Sequence, residues 1–91
     1  MYKLIYSQSS LEDLQRIDIT KAELILNKLD MFTEDKQLWS HSKRIVGLKG
    51  IFRLRVSEYR ILFQKDQNNI QNLHILRIMH RKDIYKMLNK R

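Results

Sequence analysis

From Leu48 to Phe63 the chain reads as two alternating strands joined by a tight turn at Ser57-Glu58, which commits the stretch to a β-hairpin. Alternation puts Phe52, Leu54 and Val56 on one face of a strand and Arg53 and Arg55 on the other. With Ser57-Glu58 as a two-residue loop, Val56 faces Tyr59, Arg55 faces Arg60 and Leu54 faces Ile61. Directly opposed residues share a face, so Arg53, Arg55 and Arg60 cluster on one side of a predicted hairpin. Like charges opposed across a ladder are destabilising. A chain that keeps them is expected to set a polyanion against them; the alternative is a solvated outer face that blunts an edge strand.

The chain of 91 residues is expected to form a single domain over 1–91. A chain this short buries roughly 60–65% of its unfolded surface, so the core is modest. Apolar residues make up 43%, the level of a folded domain. No apolar run approaches the roughly 18–20 residues of a membrane span, and Met1–Tyr6 does not read as a secretory signal. Cysteine is absent, which excludes disulfides and thiolate metal sites and fits a cytoplasmic location. The net charge of +8 is unevenly spread. Residues 1–40 carry five Lys/Arg and seven Asp/Glu, and residues 41–91 carry thirteen and three. The second half therefore carries a field that attracts phosphates.

Tyr2 to Ser7 reads as a first strand. Ser9-x-x-Glu12 and Thr20-x-x-Glu23 read as capping boxes, each opening a helix with a break near Asp18-Ile19. Ala22, Ile25, Leu29 and Phe32 form the apolar stripe of the second helix, with Leu26 beside it. The pattern is lost from Thr33 to Lys43, where Trp39 is expected to anchor a loop. A short strand over 44–48, the hairpin, a polar turn at 66–69 and a long strand over 70–79 follow. Gly47 and Gly50 mark a turn that needs positive φ. Residues from Asp83 on form a short helix with Ile84, Met87 and Leu88 on one side. Met31, Met79 and Met87 read as packing residues, and His74 as a plain strand residue. The predicted class is α+β: an N-terminal strand, a helical hairpin, a mainly antiparallel sheet of three or four further strands and a short C-terminal helix.

His41, His74 and His80 lie on different segments without metal-ligand spacing, and no phosphate-binding glycine loop or nucleophile elbow is present. No metal or cofactor is expected. What remains is Arg53, Arg55 and Arg60, joined by His80, Arg81 and Tyr85. Guanidinium forks match phosphate oxygens. An RNA phosphodiester breaks without metal when its own 2′-hydroxyl attacks phosphorus, and a cationic site stabilises the charge that develops. Arginine stays protonated, so proton transfer needs another group, such as an imidazole or a phenol. An aromatic ring can also stack on a splayed base.

Leu48-Lys49-Gly50, Phe52-Arg53-Leu54-Arg55-Val56, Tyr59-Arg60-Ile61-Leu62-Phe63, His80-Arg81 and Ile84-Tyr85-Lys86 together resemble the RelE/ParE toxin superfamily, in particular its RelE/StbE-like branch. The resemblance covers nearly the whole chain. It implies the toxin of a type II toxin–antitoxin pair that cleaves mRNA in the ribosomal 30S A site without metal. Carried over by position, the family's two strand lysines fall on Arg53 and Arg55, the next-strand arginine on Arg60, the late arginine on Arg81 and the tyrosine on Tyr85. The two lysine positions depart from the family, because arginine can bind and stabilise but cannot serve as a base. The resemblance leaves proton transfer to His80 or Tyr85, with the base open. It also implies a cognate antitoxin that blocks the basic face or displaces the C-terminal helix in a hetero-oligomer. A ParE-like DNA gyrase poison and a non-catalytic basic RNA-binding module are the alternative functions.

Overall fold

The computed structural model describes residues 2–34 and 38–89. Element order is β1 (Lys3–Tyr6), α1 (Gln8–Gln15), α2 (Ile19–Glu34), β2 (Ser42–Arg44), β3 (Ile51–Val56), β4 (Tyr59–Lys65), β5 (Asn72–His80) and α3 (Arg81–Asn89). Among the described residues the strands form one sheet of five in the order β1-β5-β4-β3-β2, with the β1–β5 pair parallel and the others antiparallel. The α+β class is as expected, and β1 adds the fifth strand.

The sheet buries both faces. On one, Ile25, Leu29 and Phe32 of α2 pack on Leu54, Val56, Ile61, Phe63, Leu73, Ile75 and Ile78. On the other, Ile84 of α3 is fully buried with Ile45 and Leu62, and Met79, Met87 and Leu88 border them. Trp39 is a structural anchor. Its indole N–H donates to the Tyr2 hydroxyl at 2.7 Å, and its ring lies 5.0 Å from Phe52 and 5.5 Å from Phe63. Met31 departs from its expected packing role, being exposed on α2.

Both helix starts differ from the capping boxes. Ser7 caps α1, its Oγ accepting the Ser10 N–H at 3.0 Å, because β1 hands directly into the helix and Ser7 Oγ also donates to the Leu76 carbonyl at 2.9 Å. At α2, the Asp18 carboxylate accepts the Thr20 N–H at 3.2 Å. The short strand before the hairpin is Ser42–Arg44 rather than 44–48. Ile45 and Leu48 are apolar because they pack beneath α3, outside any ladder.

One irregularity matters for the site. Leu62 faces Arg77 while Phe63 faces Ile75, so Leu76 is the extra residue of a bulge in β5. Past the bulge β1 has ended, and α1 covers the open edge. Asp13, buried in α1, accepts the Ile78 backbone N–H at 2.9 Å as a neighbouring strand would. The same carboxylate takes both arms of Arg77, at 2.8 and 3.0 Å. This pairing holds the Arg77 guanidinium still more firmly protonated than usual.

Candidate functional site

The β3–β4 register is the one the alternation dictates: Val56 faces Tyr59, Arg55 faces Arg60 and Leu54 faces Ile61. Ser57 takes a φ of 56°, the left-handed conformation that a two-residue hairpin loop demands. Since Leu54, Val56 and Ile61 belong to the helical-hairpin core, the arginines point to the opposite face. There Arg53, Arg55, Arg60 and Tyr85 line one groove of about 450 Å³.

Sequence reasoning missed three members of this groove, Ser40, His41 and Lys43. Lys43 lies directly across from Arg53 in the β2–β3 ladder, which places it on the same face. The signal was available in principle, but only with β2 in its true position. His41 enters through the turn before β2, its ring stacked on Phe32 at 4.6 Å. Four permanent cations thus line the groove, and among the described residues no carboxylate does.

The cations differ in how they are held. Arg60 is 7% exposed. Its Nη1 donates to the Ser57 carbonyl at 3.3 Å and to the Tyr59 carbonyl at 3.1 Å, so the guanidinium is braced by its own turn. Arg55 is exposed and Arg53 half-buried. Tyr85 is 45% exposed, held at the rim by α3 while Ile84, its neighbour, anchors the helix beneath. Arg81 is exposed one helical turn before Tyr85, on the same side of α3, and does not line the groove itself.

His80 lies elsewhere. Tyr59 faces His80 and Ile61 faces Ile78, so the bulge turns the His80 ring toward the helical-hairpin side. It lines a separate hollow of about 220 Å³ with Asp13, Arg16, Arg77 and Asp83. The structure therefore unites Arg53, Arg55, Arg60 and Tyr85, and leaves His80 and Arg81 outside the groove. No group of three or more metal-ligating side chains occurs among the described residues.

Residues 4–85 match the family model described as the ParE toxin of the type II toxin–antitoxin system, parDE. No curated protein matches the sequence. Among solved structures, the fold is similar to a chain of the RelBE2 toxin–antitoxin complex of Mycobacterium tuberculosis, with a TM-score of 0.75 and 21% identity. That match covers 87% of this chain and 96% of the other. The isolated RelE toxin of E. coli matches with a TM-score of 0.69 and 17% identity, over 99% of this chain and 97% of its own. A chain of the RelB–RelE complex of Methanococcus jannaschii matches at 0.65 and 22% identity, over 91% and 96%. With the family model spanning most of its length, this chain belongs to the ParE toxin family of the RelE/ParE superfamily and is a toxin of the type II toxin–antitoxin class.

Proposed function

We propose that the toxin is a ribosome-dependent mRNA endonuclease that cleaves without a metal and acts in the cytoplasm, at the 30S A site. The observation that carries this reading is the convergence of Lys43, Arg53, Arg55 and Arg60 with Tyr85 in one groove that, among the described residues, no carboxylate lines. The opposed pair Arg55 and Arg60 supplies guanidinium forks for the scissile phosphate. As the 2′-oxygen bonds to phosphorus the P–O5′ bond breaks, leaving a 2′,3′-cyclic phosphate and a 5′-hydroxyl. The Tyr85 hydroxyl passes a proton from the 2′-oxygen to the departing 5′-oxygen. Charge accumulates on the phosphoryl oxygens meanwhile, and fixed cations stabilise that state most when they need no reorganisation. The braced Arg60 suits this role. Tyr85 offers a ring for a splayed base, and Arg81 adds positive charge beside it. A cognate antitoxin covers this basic face, in keeping with the toxin–antitoxin complexes among the similar folds.

The test is mapping of mRNA 5′ ends after a short pulse of expression, with and without translation. Cuts inside codons that vanish when translation is blocked are expected. Tyr85→Ala and Arg81→Ala, both at exposed positions, should each relieve growth arrest while the protein stays folded. A folded Arg60→Ala/Arg81→Ala double variant with full toxicity would sink the assignment. The family model's ParE description favours gyrase poisoning as the second reading. Growth arrest with broken DNA and no new RNA ends would establish it instead.

A further inference from the structure

We propose that His80 is a positioning residue: its ring caps α3 and ties that helix to the β3–β4 turn, so that Tyr85 enters the groove in register with Arg60. The inference rests on the groove reading for its effect on activity, and on geometry alone for its effect on α3.

Strand β5 passes into α3 with no linker, His80 ending one and Arg81 opening the other. The first amides of a helix have no partner within it. Here the Lys82 N–H donates to His80 Nδ1 at 3.2 Å, and the Arg81 N–H donates to the Glu58 carbonyl at 2.8 Å. A ring nitrogen thus does what a serine or aspartate oxygen does at most helix starts. An accepting Nδ1 places the ring hydrogen on Nε2, which faces the Glu58 carboxylate at 3.6 Å. The ring also stands edge-on to Tyr59 at 5.7 Å, with 78° between the planes. These contacts fix the imidazole from three sides.

The same turn serves both partners in the groove. The Ser57 and Tyr59 carbonyls hold Arg60, and the Glu58 carbonyl holds the start of α3. A nine-residue helix is too short to persist on its own, so its docking decides where Tyr85 lies. One side of that docking is the buried Ile84. The other is the capped first turn. His80 therefore sets the relation between Tyr85 and Arg60 from outside the groove, through the helix.

Asparagine places an acceptor where Nδ1 stands, and glutamine reaches only toward Nε2; neither transfers protons at neutral pH. Amide hydrogen exchange of the free toxin and ribosome-dependent RNA cleavage should be measured for His80→Asn, His80→Gln and His80→Ala. The β4 and β5 amides report that each variant is folded. His80→Asn should keep α3 protection and cleavage within about threefold of the unaltered toxin. Gln and Ala should lose about fivefold or more of α3 protection, the size of a lost N-cap, with cleavage falling alongside. Unchanged α3 protection in the folded Ala variant would overturn the proposal. So would an Asn variant that keeps α3 protected yet cleaves as poorly as Ala, since that marks a chemical role for the ring. If the unaltered toxin cuts no RNA, the nuclease reading fails on its own, and the exchange data still decide the cap.

Discussion

Arg55 and Arg60 face each other across the β3–β4 ladder in opposite circumstances. Arg60 is buried and braced by two carbonyls, whereas Arg55 is exposed. Removing Arg55 relieves a like-charge pair, so Arg55→Ala should leave stability unchanged or raise it by up to about 0.5 kcal/mol while weakening RNA binding. Arg60→Ala loses two hydrogen bonds and a packed aliphatic stem, and should cost about 2–3 kcal/mol. Urea midpoints with RNA titrations separate the two effects. The pairing of these arginines was legible in the sequence, because a two-residue loop and a period of two leave one register. The bracing of Arg60 was not, since alternation gives the face of a side chain and says nothing of carbonyls around a turn. Lys43 escaped notice because Ile45 and Leu48 mimic a strand.

At the scale of elements, the β5 bulge and α1 act together. The extra residue Leu76 lets Arg77 and the Ile78 amide both reach Asp13, which closes an edge that β1 is too short to cover. Asp13→Ala would leave a guanidinium unpaired and an edge amide without its acceptor. The expected loss is about 2–3 kcal/mol, below the cost of breaking a fully buried pair because Arg77 is partly in water. Chemical denaturation checks the magnitude, and faster exchange of the Ile78 amide checks the cause. The bulge also explains why His80 lies away from the arginines. Unbroken alternation from Leu73 and Ile75 would put His80 on the groove face, and one inserted residue reverses it. Arg77, standing where the period asks for an apolar residue, was the available signal.

For the whole molecule, the scaffold half carries the helical hairpin, and among the described residues the basic half supplies the cations that line the groove. Four contacts to a single strand, at about 0.7 each, give RNA affinity a log–log salt slope of about −3. A Lys43→Ala/Arg55→Ala double variant should flatten that slope by about 1.4, as fluorescence anisotropy across a salt series would read. No helix among the described residues is long and apolar enough to cross a membrane. The sequence by itself determined the α+β class, the hairpin register and the face that carries Arg53, Arg55 and Arg60, because period, turn chemistry and charge are local properties. Only the tertiary structure decided which residues from distant segments join them. Lys43 and Tyr85 come to the groove through strand pairing and helix docking, and His80 is turned away by a single bulge; such facts depend on contacts between elements, which no local pattern records.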